Sequence, residues 1–143
     1  MLNNEDVEED EVVSARVLVI DRYAGFREAM EYCFSNAGIT ALSADSVARA
    51  LPVMREQAVD LVLLDATDSF EAGLDECRAM KARPEFAQVS VVLLATRVAG
   101  QQLDEARRAG ALTVLPRLFE WVELMQWVER AVANKESRGK SAP

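Results

Sequence analysis

Two short apolar runs that each end in an aspartate constrain the fold of this chain more than any other feature. The run 61–64 is followed by Asp65, and the run 17–20 is followed by Asp21. Each run is too short for a helix and too continuously apolar for a half-exposed strand, so it predicts a strand buried on both faces of a parallel sheet. Open α/β sheets place their chemistry at the carboxyl ends of such strands. The sequence therefore predicts a site that contains two carboxylates.

Strand and helix patterns alternate five times along the chain. The predicted strands lie near residues 16–20, 40–44, 60–64, 89–94 and 112–115. The predicted helices lie near 24–37, 46–57, between a loop 66–73 and Pro84, 99–109 and 119–133. This alternation predicts an α/β fold, a five-stranded doubly wound parallel sheet of flavodoxin-like (βα)5 type with strand order 2-1-3-4-5. That order places the first and third strands side by side, so Asp21 and Asp65 face one crevice.

Length and charge limit the protein class. The 143 residues, half of them hydrophobic, fit one domain, which we predict at 14–133. We predict an acidic flexible tail at 1–13 and a flexible C-terminal tail or linker at 134–143. The net charge of −8 argues against nucleic-acid binding, whose footprint is basic. No run approaches the roughly 18 apolar residues of a membrane span and no signal pattern is present, so we expect a cytoplasmic protein without a membrane partner.

The chain contains no histidine. This excludes Ser-His and Cys-His nucleophilic systems, histidine-ligated metals and any phosphohistidine role. The two cysteines, Cys33 and Cys77, lie far apart within helical patterns. We predict that both are reduced core residues, because they have neither metal-ligand spacing nor the spacing of a redox pair.

The residues alone leave two interpretations of the crevice open. Two neighbouring carboxylates repel each other unless a cation, a proton or an arginine lies between them. A divalent ion held by acids and loop carbonyls would suit phosphoryl transfer, with Asp65 as the nucleophile. Alternatively, Asp21 and Asp65 only cap the loops that follow them. A nucleotide or flavin site is disfavoured, because no glycine-rich phosphate loop follows the first strand.

The segment from about 16 to 133 resembles a response-regulator receiver domain. The resemblance is carried by residues 17–21, by 60–65 with Gly73, and by Gly110, Ala111, Leu115, Arg117 and Phe119. It implies that Asp65 takes the phosphoacceptor position and that Asp21 is the first acid of the acidic pocket. It also implies a role in phosphorelay-type two-component signal transduction, with a kinase or a downstream target as the protein partner.

Several pocket positions depart from the family pattern that the resemblance implies. Arg22 stands where the family has its second acid, a metal ligand. Ala95 stands where a serine or threonine hydroxyl binds the phosphoryl group, and Thr96 lies one place later. Arg117 replaces the family's lysine. Further differences occur at Ser69, Ala72, Val114 and Leu118.

These substitutions indicate an atypical, pseudo-receiver-like domain. A guanidinium can form paired hydrogen bonds to carboxylates, so we predict that Arg22 bridges Asp21 and Asp65 in place of a metal. We expect no cofactor, no enzymatic activity and a largely phosphorylation-independent protein-interaction module. The alternative is that Arg22 points into solvent and that the chain is a functional receiver. Mg²⁺, held by Asp21, Asp65 and the backbone of Thr67, would then support autophosphorylation on Asp65.

The last predicted helix is more apolar than one core-facing stripe requires. Leu124 and Val128, with one aliphatic residue a turn later, suffice for the core. Trp121, Met125 and Trp127 are in excess, and tryptophan is enriched at binding hot spots. We predict that these three residues form a partner-binding face, which would also allow a homodimer through the last helix. The alternative is that the indoles lie flat over neighbouring helices as peripheral core.

Overall fold

The computed structural model describes residues 15–141, and for residues 136–141 it describes the helix but not the side chains. The strands in this range are β1 Arg16–Ile20, β2 Thr40–Ala44, β3 Leu61–Asp65, β4 Ser90–Ala95 and β5 Thr113–Pro116. The helices are α1 Ala24–Asn36, α2 Val47–Glu56, α3 Phe70–Lys81, α4 Gly100–Arg108 and α5 Trp121–Ser141, with a 3-10 turn at Pro84–Phe86. Within residues 15–141, no helix is both long and apolar enough to cross a membrane.

The strands form one parallel sheet in the order β2-β1-β3-β4-β5. This confirms the predicted doubly wound, flavodoxin-like α/β fold with strand order 2-1-3-4-5. Ile20 pairs with Leu64 across β1 and β3, so Asp21 and Asp65 lie at the same edge of the sheet. Ala95, at the end of β4, pairs with Pro116 of β5. The carboxyl ends of four strands therefore surround one crevice.

Helices cover both faces of the sheet, which explains why its central strands are continuously apolar. Side chains of α2, α3 and α4 pack against one face, where Leu18 and Leu64 are buried. Side chains of α1 and α5 pack against the other face, where Val19 and Leu63 are buried. Successive strand residues point to opposite faces, so a strand covered on both sides needs an apolar residue at every position.

Serine side chains fix the start of the two helices that follow β2 and β3. The Oγ of Ser46 accepts a hydrogen bond of 3.2 Å from the Arg49 backbone N–H at the start of α2. The Oγ of Ser69 accepts one of 3.1 Å from the Ala72 N–H at the start of α3. Such N-caps satisfy backbone donors that a helix leaves unpaired. Because Ser69 caps α3, this helix begins at Phe70, and the predicted loop through residue 73 was too long.

Gly73 determines how closely α3 approaches the end of β3. A Cβ added at Gly73 would clash with the Cβ of Ala66 and would lie 3.2 Å from its Cα. Ala66 directly follows Asp65, so this close packing holds α3 against the backbone of the predicted acceptor.

The structure corrects two further expectations. α5 continues to Ser141 instead of ending near residue 133, and the Lys135 Nζ lies 3.0 Å from the buried Asp60 Oδ1, which gives the helix a polar anchor beyond its apolar contacts. Cys33 is exposed and only Cys77 is buried. The predicted tail at 1–13 lies outside the described residues.

Candidate functional site

Asp21 is buried at the end of β1 and all of its polar groups near the crevice have partners. Its residue exposure is 2%. Its Oδ1 accepts a hydrogen bond of 2.9 Å from the Tyr23 backbone N–H, and its backbone oxygen accepts one of 2.6 Å from Arg27 Nη1. The local turn and the first helix therefore fix this carboxylate, leaving Oδ2 directed toward the crevice.

Asp65 is the last residue of β3 and lies beside Asp21. One carboxylate oxygen of Asp65 accepts three hydrogen bonds. Its Oδ1 accepts hydrogen bonds from the Thr67 N–H at 3.0 Å, from Thr67 Oγ1 at 2.6 Å and from Arg117 Nη1 at 2.9 Å. Among the side chains described for residues 15–135 and the backbone of 15–141, no donor is directed at Oδ2 of Asp65. Thr67 thus orients the carboxylate while one oxygen stays open to the crevice.

Arg117 bridges the two carboxylates. Its Nη1 lies 2.7 Å from Asp21 Oδ2 and 2.9 Å from Asp65 Oδ1, and its side chain is only 24% exposed. The guanidinium carbon also lies 4.0 Å from the centroid of the Phe26 ring, a cation–π contact. Ala95, on the strand between β5 and β3, carries no side chain beyond Cβ, which leaves room for the arginine to reach across. A single positive charge thus joins β1, β3 and β5.

The prediction that Arg22 bridges Asp21 and Asp65 is wrong. The Nε of Arg22 lies 3.0 Å from Asp68 Oδ2, with 63% and 48% of the two side chains exposed. Its Nη2 donates a hydrogen bond of 2.9 Å to the Tyr23 hydroxyl. That hydrogen bond and the charge of Asp68 raise the pKa of Arg22 above its ordinary value. Arg22 points outward because β1 has ended and Asp21, its neighbour, already takes the inward position.

Ala95 and Thr96 supply no hydroxyl to the two carboxylates. Ala95 is buried at the end of β4 and carries no polar side-chain group. Thr96 is exposed, and its Oγ1 donates a long hydrogen bond of 3.4 Å to the Thr67 backbone oxygen. That carbonyl is the predicted backbone metal ligand, and here it faces the Thr96 hydroxyl.

The open side of the crevice is acidic. It is lined by Asp45, Asp68 and Glu76 together with the two central aspartates and Arg22. Partial burial and then the charge of Asp65 raise the pKa of Glu76 above its ordinary value. Within the described residues, no three acidic or cysteine side chains converge in a group that could hold a metal ion. Magnesium is usually held by one or two carboxylates and several waters, and here the guanidinium of Arg117 already contacts one oxygen of each central carboxylate.

The residues of the predicted partner face are half-buried on α5. Trp121, Met125 and Trp127 all pack against the apolar cluster of α1 and α5. The ring centroids of Trp121 and Phe34 are 5.2 Å apart. The most exposed large apolar side chains near this helix are instead Leu118, at 94%, and Val122, at 68%.

Sequence reasoning identified Arg117 as a substitution but missed its contacts. Two differences from the family pattern could have indicated these contacts. Arginine replaces lysine at position 117, which gives a longer side chain, and alanine replaces a hydroxyl residue at position 95, which gives a shorter side chain at the end of the intervening strand. Phe26, whose ring lies 4.0 Å from the guanidinium carbon, is not among the site residues predicted from the sequence. Its role depends on the angle of α1 to the sheet, which no local pattern encodes.

Comparisons with known proteins agree with this architecture. The family model described as "Response regulator receiver domain" matches residues 17–129. The chain is 23% identical over 126 residues to sporulation initiation phosphotransferase F of Bacillus subtilis, a match that covers 88% of this chain and 100% of that protein. It is 31% identical over 128 residues to virulence sensor protein BvgS of Bordetella pertussis, covering 85% of this chain and 10% of that protein.

Solved structures give the same result for the fold. A response regulator from Thermotoga maritima matches with a TM-score of 0.73 at 22% sequence identity, covering 84% of this chain and 98% of that chain. The family model spans far more than half of the sequence, and the strand order agrees with the fold of the solved structures. The chain therefore belongs to the response regulator receiver domain family of two-component signalling proteins.

Proposed function

We propose that this receiver acts as a largely phosphorylation-independent protein-interaction module in a cytoplasmic signalling pathway, and that it is not an enzyme. The single observation that carries this proposal is the Arg117 side chain, which contacts the two central carboxylates, Asp21 and Asp65, at once. The conformation of the loop after β5 is then set by contacts built into the chain, more than by a phosphoryl group on Asp65.

The number of contacts made by Arg117 supports this proposal. If Asp65 were modified or neutralised, the guanidinium would keep its 2.7 Å contact with Asp21 and its 4.0 Å approach to Phe26. Its backbone N–H also donates a hydrogen bond of 2.8 Å to the Ala95 oxygen. Loss of one contact out of these four shifts the position of β5 little, because the others still favour the same arrangement.

Ala95 supports the proposal from the other side of the pocket. The family resemblance implies a hydroxyl at this position that binds the phosphoryl group and draws the β4–α4 loop inward. Ala95 cannot make that hydrogen bond, and the Thr96 hydroxyl donates to the Thr67 carbonyl. A ligand shifts a conformational equilibrium only by its differential affinity for the two states. Without this hydrogen bond, a phosphoryl group on Asp65 would shift the equilibrium of the β4–α4 loop little.

We propose that the protein partner, a kinase or a downstream target, contacts the surface of α5, and that homodimerisation through the same helix is its alternative use. The half-buried residues Trp121, Met125 and Trp127 would form the base of this surface. The exposed Leu118 and Val122 would add apolar area next to them. Because Leu118 directly follows Arg117, the arginine contacts also fix where this apolar residue lies.

The second candidate function is a conventional receiver that is phosphorylated at Asp65 with Mg²⁺. One specific observation favours it: the Oδ2 of Asp65 has no protein donor in the described part of the chain, so the acceptor oxygen is accessible. Mass spectrometry after incubation with a small-molecule phosphodonor and Mg²⁺ separates the two candidates, with Asp65→Asn as the control. We expect no phosphorylated Asp65 peptide, and stoichiometric modification at Asp65 would favour the conventional receiver.

A further inference from the structure

We infer that the Arg117 guanidinium is an internal counter-ion that excludes a divalent cation from the receiver pocket. The inference concerns the site on which the proposed function rests, but its test involves neither a partner nor a phosphoryl group. The role predicted for Arg22, bridging the two carboxylates in place of a metal, is thereby assigned to Arg117 after β5. Removal of the Arg117 guanidinium should then allow a cation to bind in the pocket.

The geometry places the guanidinium on the oxygens that a dication would need. Nη1 of Arg117 lies 2.7 Å from Asp21 Oδ2 and 2.9 Å from Asp65 Oδ1, both within the range of charge-assisted hydrogen bonds. The side chains of Asp21 and Asp65 are 1% and 10% exposed. A cation held by these two oxygens together would compete with the arginine for them.

The charges of the pocket lead to the same conclusion. Asp21 and Asp65 carry two negative charges, and Arg117 already neutralises one of them at contact distance. One of the further acids that line the pocket, Asp68, is paired with Arg22 at 3.0 Å. Displacing Arg117 would also remove the guanidinium from the Phe26 ring, 4.0 Å away. An arginine, unlike a lysine, stays charged at all accessible pH values and loses little affinity through deprotonation.

The expected effect on cation binding follows from the competition between the two ligands. A cation that binds only the state with Arg117 displaced has its apparent affinity reduced by the fraction of molecules in that state. Two charge-assisted hydrogen bonds and a ring contact make this fraction small. We therefore expect removal of the guanidinium to tighten cation binding by at least about 30-fold.

The test is a titration with Mn²⁺, followed by paramagnetic broadening of the backbone amide signals of Asp21, Asp65 and Thr67. The full chain is compared with Arg117→Gln and with Arg49→Gln as the matched control. Arg49 pairs with Asp45, which lines the open side of the pocket. Its Nε lies 3.7 Å from Asp45 Oδ1, and its side chain is 77% exposed. Both variants remove one positive charge, but only Arg117→Gln removes a contact to Asp21 and Asp65.

We expect selective broadening at these amides in Arg117→Gln at Mn²⁺ concentrations at least about 30-fold below those that affect the parent, and less than about a threefold change in Arg49→Gln. Equal binding by the parent and Arg117→Gln, or equal gains in both variants, would overturn the inference. If Arg117→Gln does not fold, the parent and Arg117→Lys decide. Tight, site-selective Mn²⁺ binding by the parent would contradict the inference, while weak binding by the parent with a gain in Arg117→Lys would support it.

Discussion

Replacement of Arg117 by methionine tests the internal ion pairs directly. Methionine keeps a flexible, unbranched apolar side chain, but it is shorter than arginine, reaches neither carboxylate and removes the charge shared by Asp21 and Asp65. The Asp21 side chain is 1% exposed and that of Asp65 is 10% exposed, so Asp21 above all cannot replace its lost partner with bulk water without a change in structure. We therefore expect a large loss of folding stability.

The magnitude follows from the contacts that are lost. Each of the two charge-assisted hydrogen bonds contributes about 1.5–3 kcal/mol, and breaking a buried ion pair by removing one partner costs about 3–5 kcal/mol. Arg117 is 24% exposed, so solvent screens part of this interaction and a value near the lower limit applies. We expect a decrease of about 3 kcal/mol in the free energy of unfolding, or roughly 10 °C in the melting temperature.

Urea unfolding of the parent, Arg117→Met, Asp21→Asn and the double variant measures both the cost and its origin. The double-mutant cycle should give a coupling energy of about 2 kcal/mol between Arg117 and Asp21. Arg22→Gln is the matched control, because Arg22 pairs with Asp68 on the exposed surface and its loss should leave the unfolding midpoint unchanged. A coupling energy near zero, or equal destabilisation by Arg22→Gln, would refute the reasoning.

Three further predictions concern packing and the two thiols. In urea unfolding, Gly73→Ala should lower the free energy of unfolding by about 1–3 kcal/mol, because the added Cβ would clash with Ala66 after β3. The control Gly25→Ala should be neutral or stabilising, because no atom lies within 4 Å of the added Cβ. Burial raises the pKa of Cys77 to about 11, so mass spectrometry after iodoacetamide treatment at pH 8 should show modification of Cys33 only, and equal labelling of both thiols would contradict this. Because the thiol ionises more readily in the unfolded chain, the free energy of unfolding should also fall as the pH rises from about 9.0 to about 11. Trp121→Gln should cost about 2 kcal/mol, because the indole packs on the core, and an unchanged urea midpoint would show that it serves only as a surface contact.

Much of the fold could be predicted because the pattern of the central strands has one physical explanation. The runs 17–20 and 61–64 are apolar at every position, and only a strand covered on both faces requires that. The same runs place Asp21 and Asp65 at adjacent strand ends. The helix ends were less predictable: α3 begins at the Ser69 cap, and α5 continues well past the predicted end.

The candidate site was only partly predictable for a reason of geometry. Sequence proximity favoured Arg22 as the partner of Asp21, but successive residues at a strand end point in different directions, and Arg22 faces Asp68 on the surface. Arg117 is distant in sequence and reaches the carboxylates across Ala95. The predicted sheet order places the end of β4 between these strand ends, but it does not give the conformation of the Arg117 side chain, which decides the contact.

The central claim is that contacts within the chain, and not a metal ion or a phosphoryl group, set the conformation of the pocket. The most direct measurement is the set of backbone amide chemical shifts of the full chain, recorded before and after addition of Mg²⁺ and a small-molecule phosphodonor. We predict that the amides of Asp65, Ala95 and Leu118 keep their shifts. Saturable changes at these three positions, with phosphorylation of Asp65 in the same sample, would contradict the claim.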